Sequence, residues 1–526
     1  MTNRILSLTL LSTTALAQPG PGGPGGPGGG QGDGIWRRNA YFGENQTFDA
    51  CTGHQPGSGD YHHHANPVCL RAQLGDNLGL VRSLRTGVSY REKAAPWTHS
   101  PILGWAFDGY PIYGPYGYSD PKSATSAVRR MRTSFRLRTI TERTSLPDWL
   151  AASHAPVPQK LDPSQYGPPV NAKFPLGRYQ EDFDYVESLG DLDQYNGRFT
   201  VTPEFPSGVY AYFVTIDADG QPAFPYILSR QYYGAVAATP PGPGPGIGSA
   251  QQVPADATDY FAGGQLTGPV STDAVIASFP TKNSRETAKA VIGWDPSEGP
   301  RETWPATQPA RAMPASGGVT APTSADVQRI RVNAGSVYVN SNGLPSHPFG
   351  PWFASGNGGV FNNFPARQNY QLRIPRAPTP ATGTRTTTPM GAAGIWVNGV
   401  ALFNALDGGS YKTSTGADAG GGPVNATAIH RAAPSLEGGP VTPGSIVTAF
   451  ANFGAVLAAS TDAAPSPQWP LTLGGSTVTI VDAAGGAMIH AVRAGCWPWS
   501  EAHSSMTGRT ITVPRYRWDW PACPRP

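Results

Sequence analysis

Four of the chain's ten histidines fall between positions 54 and 64. They occupy the runs Cys51-Thr-Gly-His54 and Tyr61-His62-His63-His64, and Cys69 closes the stretch. Neutral imidazole is the commonest protein ligand for transition metals and is available at physiological pH. An extended backbone over 61–64 places His62 and His64 on one face and His63 on the other, because strand side chains alternate with period two. Two nitrogen donors on one strand suit Zn or Cu. His54, and His99 in Thr98-His99-Ser100-Pro101, are the candidates to complete the coordination sphere from neighbouring loops. The expected metal set is His54, His62, His64 and His99 around one divalent ion. The competing reading is a structural or adhesive module whose histidines are packed and hydrogen-bonded and hold no ion.

The positioning of these residues depends on compartment. Arg4, a short apolar stretch over 5–16, and the small-x-small sequence Ala15-Leu16-Ala17 read as a secretory signal cleaved after Ala17. The expected location is therefore extracellular, secreted or at the cell surface. Export would oxidise the four cysteines, pairing Cys51 with Cys69 around the histidines and Cys496 with Cys523. The alternative is a Cys2His2 zinc site from Cys51, His54, His64 and Cys69, which needs thiolates.

Charged residues are 14% of the chain and the net charge is +3, so no broad electrostatic footprint for nucleic acid is present. No run is long and apolar enough for a transmembrane helix. The 65 glycines and 55 prolines punctuate short extended runs, which points to a mainly β, multidomain protein. Strands are expected at 104–107, 208–216, 224–228, 288–294, 336–339, 394–403, 441–450 and 473–481. Asp108-Gly109 reads as turn chemistry, or Asp108 accepts the free ring N–H of a ligating histidine. The arginines of 121–150 read as a solvated face, and the acidic residues of 181–193 as capped turns. No hydrolase or phosphate-loop motif occurs. The 21 tyrosines and 13 tryptophans suit either carbohydrate contact or a small β core. Partners are otherwise open.

Further motifs extend the pattern. They include His99-Ser-Pro-Ile-Leu-Gly104, Phe107-Asp-Gly-Tyr-Pro-Ile-Tyr-Gly-Pro115, Gly190-Asp-Leu-Asp193, Asn196-Gly-Arg-Phe199, Thr202-Pro-Glu-Phe-Pro206 and Tyr210-Ala-Tyr-Phe213. With the His run they resemble the YHYH-domain family over residues 35–235, His63 standing where that motif has its second Tyr. The resemblance implies a secreted or surface protein and no defined chemistry. The family's usual N-terminal segment is similar to residues 336–412 here, with Asn342-Gly-Leu-Pro-Ser-His347, Pro389-Met-Gly, Val397-Asn-Gly-Val400 and Phe403-Asn404 displaced behind the His motif. A composite domain of 35–235 plus 325–412 would return His347 to the vicinity of the strand that carries His62 and His64, as a candidate additional ligand or supporting residue. Val441-Thr-Pro-Gly-Ser-Ile-Val and the strand-like run after Leu473 resemble an immunoglobulin-like β-sandwich of bacterial secreted proteins. The expected organisation is signal 1–17, Gly/Pro linker 18–34, YHYH domain 35–235, linker 236–324 with a short β-like segment, displaced segment 325–412, linker 413–423, and sandwich 424–526.

Overall fold

Gly- and Asp-punctuated strands of two to seven residues bury little surface alone, so they must pair laterally to be stable. A computed structural model describes residues 32–83, 87–151, 161–236, 252–279, 325–347, 349–350, 365–420, 471–473 and 476–478. The protein is mainly β, with several sheets. The largest contains β1 (Gly53–His54), β2 (His62–His63), β3 (Ile102–Ala106), β4 (Pro111–Tyr113), β5 (Gly197–Thr200), β6 (Val209–Phe213), β7 (Ala392–Trp396) and β8 (Ala401–Phe403). Its eight strands run in the order β5-β6-β4-β3-β7-β8-β2-β1.

That order has a consequence for the chain's organisation. β7 pairs antiparallel with β3 in the register Ile395↔Trp105, and β8 pairs parallel with β2 through Ala401↔His62 and Leu402↔His63. Two strands from the 325–420 segment therefore separate β2 from β3. Every residue of β3 and β7 is buried. Close backbone approach at this seam depends on glycine: a Cβ on Gly104 would sit 2.5 Å from the Ile395 carbonyl oxygen, and one on Gly394 2.4 Å from that of Trp105. The strand Arg37–Asn39 likewise pairs with Leu406–Lys412. One hydrophobic core runs through both segments, including Leu103, Tyr212, Ile395, Trp396 and Val400.

A second, five-stranded antiparallel sheet orders Gln265–Leu266, Thr258–Ala262, Val327–Val332, Ser336–Ser341 and Tyr370–Pro375. Its first two strands lie in the stretch read as linker. Several local expectations change. The 394–403 run is two strands joined by a turn at Asn398 and Gly399. Residues 224–228 form a buried turn and not a strand, because Pro225 has no N–H for a ladder and Tyr226 sits at φ 71°. Asp108-Gly109 is a turn, with Gly109 at φ 89° and its N–H bonded to Ala106 O.

The basic and acidic stretches neutralise each other. Arg143 is buried and donates to both Asp182 oxygens at 2.7 and 2.9 Å, Arg129 pairs with Asp191, and Asp193 accepts from Tyr195 N in an Asx turn at 2.9 Å. The chain divides into two compact units, of which the second comprises 440–447 with 453–526. Its described residues form one hairpin, Leu471–Leu473 with Ser476–Val478. That hairpin replaces the start of the strand expected at 473–481; the rest of the segment read as an immunoglobulin-like sandwich, the Cys496–Cys523 pair, the signal segment and the 288–294 and 441–450 strands lie outside the described residues. Among the described residues no helix is long and apolar enough to cross a membrane.

Candidate metal centre

Antiparallel pairing of β1 with β2 sets His54 directly opposite His62, and directly opposed residues share a face. His64, two residues beyond His62, returns to that face. The Nε2 atoms of His54 and His62 lie 3.1 Å apart, and those of His62 and His64 3.0 Å. The three offer ligand atoms within 4.8 Å of one another.

The other ring nitrogens are all committed. His62 Nδ1 donates to Asp60 O at 2.7 Å and His64 Nδ1 to Asn404 O at 2.6 Å, since a carbonyl can only accept. His54 Nδ1 meets Thr47 Oγ1 at 2.7 Å, and that hydroxyl spends its own proton on Glu44 O at 2.7 Å. Thr47 Oγ1 must therefore accept. Every imidazole is held as the Nδ1–H tautomer, so its Nε2 lone pair points inward.

A carboxylate stands beside the trio, Glu44 at the end of α1 (Ala40–Glu44), which the Asn39 side chain caps. Glu44 Oε2 lies 3.4 Å from His54 Nε2 and 3.3 Å from His64 Nε2. Ligands held about 2.1 Å from an ion are about 3.0 Å apart at right angles and about 3.4 Å apart in a tetrahedron, so the 3.1 and 3.0 Å spacings of the imidazole nitrogens are ones a shared ion could accommodate.

The walls are aromatic. Phe403 stacks on His62 with ring centres 3.8 Å apart, and Phe48 lies edge-on to His54 at 4.7 Å. Burial pushes the His54 imidazole down to about 4. His62 falls well below the usual histidine range through burial and through His54 and His64 beside it. Both rings are thus neutral at physiological pH, the state a ligand requires. Burial works to raise Glu44, but its neighbours His64, His54 and Arg38 outweigh burial and hold the carboxyl below its ordinary value. Arg38 also pairs with buried Asp407, Nε to Oδ2 at 2.7 Å.

The remaining candidates lie elsewhere. Cys51 and Cys69 are joined as a disulfide, so the Cys2His2 set of Cys51, His54, His64 and Cys69 does not form: its sulfurs bond each other, while His54 and His64 face Glu44. His99 donates from Nδ1 to Ser100 O at 2.8 Å and packs against Tyr113, Tyr118 and Phe213. That is the β4/β6 half of the sheet, across β3, β7 and β8 from β2, and the trio does not include it. Asp108 serves no imidazole. It accepts from Tyr212 OH at 2.6 Å, Gly234 N at 2.8 Å and Tyr110 N at 3.3 Å. His347 comes to Cys51, with Nδ1 3.8 Å from Sγ, and stays apart from the trio. His63 points the other way, between Tyr61 and Trp396. Glu44 carries no motif that marks it as a donor. Its only signal is its place at the end of a short helix ten residues ahead of His54.

The fold and site together define a mainly β protein built around a buried cluster of three imidazoles. Residues 13–227 match the family model described as YHYH protein, which supports the YHYH family for that part of the chain. Comparison with curated proteins and with solved structures finds no match.

Proposed function

We propose that this chain is an exported protein whose 35–235 and 325–412 segments build one divalent-metal module, with Zn²⁺ or Cu²⁺ held by His54, His62, His64 and Glu44. The observation that carries this reading is the commitment of all three Nδ1–H groups to Thr47, Asp60 and Asn404, which leaves three bare Nε2 atoms facing one another. Four protein donors correspond to a structural ion, closed to substrate, that ties α1 to β1 and β2. Export is supported by the apolar N-terminal stretch ending in Ala17 and by the oxidised Cys51–Cys69 pair.

The test is metal retained by the untagged full chain after loading and desalting. Wild type should hold one equivalent of Zn²⁺ or Cu²⁺. Joint replacement of His62 and His64 by Ala should abolish it, whereas His99→Ala should retain it. Excess metal at 100 times Kd should stabilise the chain by about 2.7 kcal/mol. A wild type that retains neither ion would leave the histidines as packing groups of a structural or adhesive module.

A further inference from the structure

On the His63 side of β2 a second group of donors converges. Cys51, Cys69 and His347 are buried, and their ligand atoms lie within 4.8 Å of one another. Three distant pieces of chain deliver them: Cys51 from just before β1, Cys69 from α2 (Val68–Gln73), and His347 from a position 296 residues beyond Cys51. His63 lies on this side of β2, between Tyr61 and Trp396, and of its charged neighbours His347 acts on it most strongly. The distance from His347 Nδ1 to Cys51 Sγ is 3.8 Å. Across a tetrahedral zinc ion with its usual bond lengths, nitrogen and sulfur are about 3.6 Å apart. The imidazole therefore already stands where a ligand to a Cys51 thiolate must stand.

We propose that this group is a second, redox-gated metal site: with the disulfide reduced, Cys51, Cys69 and His347 bind one Zn²⁺ ion. The oxidised pair cannot bind, because disulfide sulfurs are not thiolates. A dithiol supplies two electrons and two protons, so the Cys51–Cys69 bond breaks to two thiols while the dithiol closes to its own disulfide. Each thiol then gives one proton to solvent as its sulfur takes the ion. The site shares no ligand with the imidazole trio and does not rest on that reading.

The test uses full-length chain carrying Cys496→Ser and Cys523→Ser, so that Cys51 and Cys69 are its only cysteines. Oxidised protein, and protein reduced with dithiothreitol and freed of it anaerobically, are each loaded with Zn²⁺ or Co²⁺ and desalted. Reduction should add one equivalent of Zn²⁺ to whatever the oxidised protein holds, and the Co²⁺ form should gain a thiolate-to-cobalt charge-transfer band. His347→Ala should still yield two titratable thiols but bind the added ion at least tenfold more weakly. The joint His62→Ala and His64→Ala variant should keep the gain. The proposal is overturned by any of four results: no added equivalent once both thiols titrate, undiminished affinity in His347→Ala, a disulfide that resists the dithiol in folded protein, or loss of the near-ultraviolet circular dichroism on reduction. The metal content of the oxidised protein reports separately on the imidazole centre.

Discussion

At the residue scale, Thr47 decides which nitrogen of His54 is available. Its hydroxyl donates to Glu44 O and so can only accept from the imidazole. Replacing it with valine keeps the shape and removes the acceptor. Thr47→Val should weaken Zn²⁺ binding about 10–100-fold, the usual loss when the outer partner of a ligating histidine is removed, as read by competition with a chromophoric chelator. Asp108 shows a different use of burial. Enclosure raises its carboxyl to about 6 despite the donors from Tyr212, Gly234 and Tyr110. A carboxyl raised in the folded state favours folding below its unfolded value of about 4, and that contribution is lost as pH rises through about 6. Asp108→Asn cannot ionise. Between pH 4 and pH 7 wild type should therefore lose on the order of 2–3 kcal/mol relative to the variant, measurable by urea unfolding at the two pH values. A constant difference would show that Asp108 ionises as readily in the folded chain as in the unfolded one.

At the scale of elements, the β3/β7 seam holds the sheet together where two distant chain segments meet. A methyl group at Gly104 would press on the Ile395 carbonyl, which belongs to a paired strand and cannot swing away. Gly104→Ala should cost about 1–3 kcal/mol, the range for overpacking a close-packed interior. Gly335→Ala, where nothing lies within 4 Å, should change stability by less than about 0.5 kcal/mol. Equal melting temperatures for the two variants would mean that the seam is more compliant than its packing indicates. The period-two alternation of 61–64 was readable from the chain, and so was the Asp108-Gly109 turn, because both follow from local backbone geometry. The 224–228 run was not. Its aromatic and β-branched residues imitate a strand, while Pro225 and the left-handed Tyr226 close a turn.

At the scale of the whole molecule, the histidine cluster depends on both segments, since Asn404 O fixes His64 and Phe403 covers His62. A chain ending at residue 250 would lose β7 and β8, the strands between β2 and β3. It should expose unpaired edges and apolar faces, bind a hydrophobic dye and aggregate. A monomeric, cooperatively melting fragment would show instead that 35–235 folds independently. By itself the sequence determined what local rules can carry: the imidazole pair on one face of an extended run, a β-rich composition, and a motif set resembling the YHYH family. It did not reveal that Glu44 stands beside the trio, because a carboxylate ending a five-residue helix has no pattern until that helix docks beside His54 and His64. Nor could it sort His99 and His347 from the trio. All three of those placements depend on strand order, and strand order is decided by which faces bury one another across several hundred residues of chain.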